Sequence, residues 1–174
     1  IDIPRIVDTG DFDGDGDMDL VIGRSSAYGP DIVDAATGEL IANGESPFAL
    51  IQGENVAALG DVNGDGFADF AATNAGNAST TVYPGPDGRR AFTRAVGSSA
   101  CTTAGDLDGD GVSDLLASNL VFPGVTAVSG ATGAVIYDYI GPVHPDGQLG
   151  RPGSALDSMG DLDGDGVGDF VVGA

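Results

Sequence analysis

The sequence contains no lysine and no tryptophan, and it has one cysteine and one histidine. Each shortage closes a possibility. A single cysteine, Cys101, excludes a disulfide framework within the chain. It is expected as a small buried apolar residue rather than a reactive thiol. The single histidine, His144, stands in the Gly- and Pro-rich stretch 141–153 with no partner pattern around it. With no lysine base and no nucleophile motif, little acid–base apparatus remains. Without tryptophan, a sugar-stacking platform would rest on Tyr28, Tyr83, Tyr137 and Tyr139, and the last two fall in a predicted outer strand where packing explains them. No apolar run reaches 18 residues, so no helical membrane span is expected. The start of the chain carries no signal-peptide pattern. Positive charge is scarce too: six arginines face 27 acids, a net charge of −21. A surface this acidic repels nucleic acid and anionic membrane, so neither is an expected partner.

The acids are not spread evenly. Fifteen of the 27 fill positions 1, 3, 5 and 9 of four short loops, and without them the net charge would be −6. One segment occurs four times: GDFDGDGDMDLVIG at 10–23, GDVNGDGFADFAAT from Gly60, GDLDGDGVSDLLAS from Gly105 and GDLDGDGVGDFVVG from Gly160. A weaker signal travels with it. The turns Ala36-Thr37-Gly38, Pro86-Asp87-Gly88 and Ala131-Thr132-Gly133 follow the first three loops, each turn glycine lying 19 residues beyond the last loop acid. A constant spacing between two unlike signals implies one structural unit copied in tandem.

Within each unit the pattern is β. A short segment precedes the loop: Arg5 to Val7, Asn55 to Leu59, Ala100 to Thr103, Ala155 to Met159. An apolar run follows it: Leu20 to Ile22, Phe70 to Ala72, Leu115 to Ala117, Phe170 to Val172. Such runs fit strands buried on both faces. A hairpin comes next, its clearest arms at Val125 to Val128 and Val135 to Tyr139. The 30 glycines suit a fold of short strands and tight turns, and no stretch carries a sustained helical period. The predicted fold is therefore all-β with almost no helix. It consists of tandem four-stranded antiparallel blades of β-propeller type. The 174 residues form a single repeat domain of about three and a half blades, approximately 1–50, 51–97, 98–150 and a half blade at 151–174.

The loops read as metal sites. In the fourth, Asp161, Asp163, Asp165 and Asp169 hold positions 1, 3, 5 and 9, with Val167 at position 7 offering its carbonyl. The first uses Asp11, Asp13, Asp15 and Asp19, with Asp17 at position 7; the second Asp61, Asn63, Asp65 and Asp69, with Phe67; the third Asp106, Asp108, Asp110 and Asp114, with Val112. Alternating acids on a tightly turning backbone converge their oxygens on one point, and the repulsion among them is relieved by a hard divalent cation. Calcium tolerates the irregular geometry better than magnesium does, so four calcium sites are expected. The second loop, with Asn63, has three charges rather than four and should bind most weakly. An EF-hand is excluded, because position 12 is Ile22, Ala72, Ala117 or Val172 rather than glutamate.

The pattern D-x-[DN]-G-D-G-x-x-D followed by an apolar strand resembles the FG-GAP repeat, as in the β-propeller of integrin α-subunits and many bacterial extracellular proteins. No Phe-Gly pair stands upstream of the loops. The resemblance implies that the loop joins the first two strands of a blade and binds calcium through the residues named above. It also implies an extracellular or cell-surface setting and an adhesive or scaffold role. The expectation is a non-catalytic, calcium-rigidified structural or adhesion module. Its open blade ends would meet further propeller blades or other copies of the chain, head to tail, giving a filament. Protein or glycan ligands are the other expected partners. The competing reading is a carbohydrate-binding or polysaccharide-cleaving propeller fragment. Arg89-Arg90 is read as a solvated hairpin end, and Asn77-Ala78-Ser79 forms one glycosylation sequon on a loop.

Overall fold

The computed structural model describes residues 7–23, 29–43, 55–74, 76–86, 89, 91–94, 100–119, 124–141 and 155–173. Tyr28, His144, Arg90 and the Asp87-Gly88 half of the second turn lie outside them. Among the described residues there are fourteen strands and no helix.

The first sheet runs β1 (Val7–Gly10), β2 (Asp19–Ile22), β3 (Asp31–Val33) and β4 (Leu40–Asn43), in that order. The second repeats the order with β5 (Val56–Gly60), β6 (Asp69–Asn74), β7 (Ser79–Tyr83) and β8 (Phe92–Arg94). The third does so with β9 (Cys101–Gly105), β10 (Asp114–Asn119), β11 (Gly124–Val128) and β12 (Val135–Ile140). A fourth sheet pairs β13 (Ala155–Gly160) with β14 (Asp169–Gly173). Every pairing is antiparallel. The first strands β1, β5, β9 and β13 neighbour one another in turn, so the sheets stand side by side like blades sharing an inner edge.

The apolar runs explain this stacking. Successive residues of a strand face opposite sides, so a run apolar at every position serves two interfaces. Phe70 and Ala72 of β6 join Phe12, Val21, Ile32, Val56 and Tyr83 between the first two sheets. Ala71, between them in sequence, joins Leu59, Val62, Val82, Leu115 and Val128 on the other side. Leu116 then packs with Ala104, Leu107, Val125 and Ala127, against Phe170 and Val172 of the last sheet. In the first core Phe12 meets Phe70 edge-on at 5.7 Å, and Phe70 stacks on Tyr83 at 5.0 Å. The expectation of burial on both faces holds for β6, which is buried throughout. It fails for β2, where buried and half-buried residues alternate, and for β14, which is half-exposed. These two strands belong to the first and last sheets, each of which has a described neighbour on one side only.

A polar pair clasps each outer hairpin at the same register. Asn43 donates from Nδ2 to Asp31, the Thr81 and Thr93 hydroxyls meet at 2.9 Å, and Thr126 donates to Asp138 at 2.7 Å. Each pair spans twelve residues and joins directly opposed positions of the third and fourth strands.

Candidate metal centre

Each Asp-rich loop joins the first two strands of its sheet, and its winding is organised by the carboxylate at position 1. Asp61 accepts the amides of Gly64 (2.7 Å) and Asp65 (3.1 Å) on one oxygen and that of Gly66 (2.9 Å) on the other. Asp106 and Asp161 take the equivalent amides at the same distances. Asp11 holds Gly14 at 2.7 Å and Gly16 at 3.2 Å. Wrapping three amides round one carboxylate needs left-handed backbone at positions 4 and 6, and Gly64 and Gly66 supply it with φ of +79° and +93°. These amides favour the ionised form, those of Gly66 and Gly111 most strongly, and hold the Asp61 and Asp106 acids below their ordinary range.

Positions 3 and 5 continue the winding. Asp108 accepts the Asp110 amide at 3.2 Å, and Asp110 accepts the Val112 amide at 2.8 Å. The same steps recur through Asp13 and Asp15 to Asp17, through Asn63 and Asp65 to Phe67, and through Asp163 and Asp165 to Val167.

Position 9 behaves differently. This aspartate is the first residue of the second strand, and Asp19, Asp69 and Asp114 are buried. One oxygen accepts the position-2 amide in every loop: Phe12 to Asp19 (2.9 Å), Val62 to Asp69 (2.8 Å), Leu107 to Asp114 (2.6 Å) and Leu162 to Asp169 (2.8 Å). In the second and third sheets the other oxygen accepts an amide from the outer hairpin turn, Gly85 or Gly130, each at 3.0 Å. The carboxylate thus ties the loop to its own strand and to the hairpin sixteen residues downstream. Burial raises these acids against the opposing pull of their amide donors, with neighbouring loop carboxylates adding to the rise; Asp69 reaches about 6.

This latch is missing from the sequence reading, which gave position 9 a ligand role alone. Two regularities could have found it. Position 2 is apolar in all four loops, and a glycine follows Asp69 and Asp114 at the same interval, where the first unit has Ala35.

Three loops gather their carboxylates. Oxygens of Asp11, Asp13 and Asp15, of Asp106, Asp108 and Asp114, and of Asp161, Asp163 and Asp169 lie within 4.8 Å of one another in each group. Oxygens sharing one calcium ion at ~2.3–2.6 Å stand no more than about 5 Å apart, so these donor sets fit that ion. The second loop forms no such three-acid group among the described residues. There the Asn63 amide nitrogen donates to Asp65 at 2.9 Å, occupying an oxygen that a cation would otherwise share.

Cys101 is half-buried, its thiol 3.8 Å from the Asn55 carbonyl and pushed up to about 12 chiefly by burial. Tyr137 stacks on Phe170 of the next sheet at 6.4 Å, and both Tyr137 and Tyr139 are exposed on β12. Arg89 is exposed. Asn77 lies exposed in a turn and accepts the Ser79 hydroxyl at 2.6 Å.

The sequence matches the family described as FG-GAP repeat over residues 4–39 and that described as FG-GAP-like repeat over residues 61–117. No curated protein matches it. Among solved structures, the hydrazine synthase of Kuenenia stuttgartiensis is similar with a TM-score of 0.58 and 16% identity, covering 97% of this chain and 49% of that one. The Cps50 (Swd1) β-propeller domain of Myceliophteria thermophila gives a TM-score of 0.49 and 13% identity, covering 83% and 45%. This chain therefore spans about half the length of either. The first likeness concerns the fold alone. No helix among the described residues is long and apolar enough to cross a membrane. With two repeat matches that fall on the Asp-rich loops, and with sheets built as partial propeller blades, the chain belongs to the FG-GAP repeat family.

Proposed function

We propose that the chain is a non-catalytic, extracellular calcium-binding module with a structural or adhesive role. The observation that carries this reading is the recurrence of three-carboxylate groups at matching loops of the first, third and fourth sheets. Each loop would hold one calcium ion through its position 1, 3, 5 and 9 side chains and its position 7 carbonyl, making four sites. Calcium there neutralises carboxylates that otherwise repel one another, and so stiffens the connection between the first two strands of every blade. The loop side chains are occupied with winding the backbone, which supports a structural rather than a catalytic use of the metal.

Assembly is part of the same proposal. β14 has no described partner on its outer edge, whereas β2, β6 and β10 are each paired there by a third strand. Val171 on β14, Val167 and Leu162 in its loop, and Met159 on β13 are exposed apolar side chains. Exposed apolar residues grouped beside one strand form a surface for association, and further blades or other copies of the chain, joined head to tail, would cover it.

Isothermal titration of the chelated full chain with calcium tests the metal reading. Four equivalents are expected, one weaker than the rest, and absence of binding at millimolar calcium overturns it. Light scattering after size exclusion tests assembly: large particles in calcium that dissociate on chelation are expected, and a monodisperse monomer in calcium rules out self-association.

A further inference from the structure

The four loops are not isolated from one another. The position-8 amide of one loop donates to the position-1 carbonyl of the loop before it: Ala68 to Asp11 at 2.8 Å, and Gly168 to Asp106 at 3.2 Å. Position 7 therefore sits beside the preceding loop as well as inside its own. In the second loop position 7 is Phe67, and its ring reaches across the sheet boundary onto Gly14 of the first loop. A methyl group placed on Gly14 would lie 2.7 Å from Phe67 Cε1 and 3.1 Å from Cδ1. The equivalent glycines Gly64, Gly109 and Gly164 have open space at the same point. Of the four loops, the first alone has its position-4 glycine covered by a neighbour's side chain. That glycine follows Asp13 and gives its amide to Asp11, so the ring presses on the backbone between two of the three gathered carboxylates.

We propose that Phe67 is a positioning residue for the first loop's cation. Its backbone belongs to the second site, while its ring holds Gly14, and with it Asp11 and Asp13, in the ligating arrangement. A metal-free loop of acids gains entropy and relieves repulsion by opening; a covering ring resists that opening and leaves less ordering to be done when the ion arrives. Val167, which stands in the same relation to the third loop, is too short to cover Gly109 and is itself partly exposed. This inference rests on the reading of the loops as calcium sites.

The test is a calcium titration of the ¹⁵N-labelled full chain, followed by NMR. The amides of Gly14 and Gly16 report the first loop, Gly64 and Gly66 the second, Gly109 and Gly111 the third, and Gly164 and Gly166 the fourth. Phe67→Ala is expected to weaken the first loop by about five-fold or more, a typical coupling between neighbouring sites. The third and fourth loops should keep their midpoints, and Phe67→Tyr should restore the first. Val167→Phe, a change at a partly exposed position, should tighten the third loop, and it keeps the idea testable if Phe67→Ala folds poorly. An unmoved first-loop midpoint in Phe67→Ala overturns the proposal. So does an equal loss in the first, third and fourth loops, which would mark a general loss of stability, or a third loop indifferent to Val167→Phe. If no glycine amide of the unaltered chain responds to calcium, the calcium reading itself has failed and this inference falls with it.

Discussion

Two aspartates of one loop can differ in kind. Asp108 is exposed and gives one oxygen to a loop amide, whereas buried Asp114 receives an amide on each oxygen, one from Leu107 and one from Gly130. An asparagine at 114 can accept only one of them and turns its NH₂ towards the other. Asp114→Asn should therefore cost about 1.5–3 kcal/mol in urea denaturation even under chelator. Asp108→Asn should stay within about 0.5 kcal/mol there and lose calcium affinity instead. Equal stability losses would show that position 9 is only a ligand. Asp69 adds a pH dependence. Its acid is raised from 3.8 to about 6 in the folded chain, chiefly by burial, so the folded state binds that proton more tightly than the unfolded state. Stability under chelator should then fall as pH rises from about 4 to above 6. Asp61 and Asp106 are shifted the other way, and their contribution changes below about 3.8, outside that window. If calcium binds the ionised loops, stability in its presence should rise over the same range. Denaturation midpoints at pH 4.5 and 7, with and without calcium, give the sign.

At the scale of the element, the blade depends on one hairpin turn meeting one loop. Gly130 shows how close the fit is: a Cβ there would stand 2.0 Å from the Ser113 carbonyl oxygen and 3.3 Å from Val62 of the preceding sheet. Gly130→Ala must push the turn off the loop, and should cost about 1–3 kcal/mol by denaturant midpoint while leaving the loop's ligand side chains unchanged. The strand after each loop was legible because its apolar run is short and bounded by turn residues, and the arms at 125–128 and 135–139 appear as β11 and β12; of the segment read before the first loop, Arg5 and Ile6 lie outside the described residues and the strand is Val7–Gly10. The latch was not legible. Its partners are sixteen residues apart and belong to elements whose approach is set by sheet pairing, not by local propensity.

Across the whole molecule, stability lies between the sheets. Phe70 is fully buried at the first boundary, between Phe12 and Tyr83, and Phe70→Ala should cost about 3–5 kcal/mol in urea denaturation. If calcium binds the folded loops alone, the thermal midpoint should rise with calcium concentration, one site adding about 2.7 kcal/mol at a hundred times its dissociation constant. A midpoint indifferent to calcium would place the ion outside the folding equilibrium.

Residue order alone determined the repeat, the all-β class and the acid positions of every loop, because period, turn glycines and alternating aspartates are local properties of the chain. Tertiary structure decided which of those acids are buried, since Asp19, Asp69 and Asp114 read like their loop neighbours until sheets close over them. It also decided that the Phe67 ring covers Gly14 of the loop before its own, because that contact exists only once two sheets lie side by side.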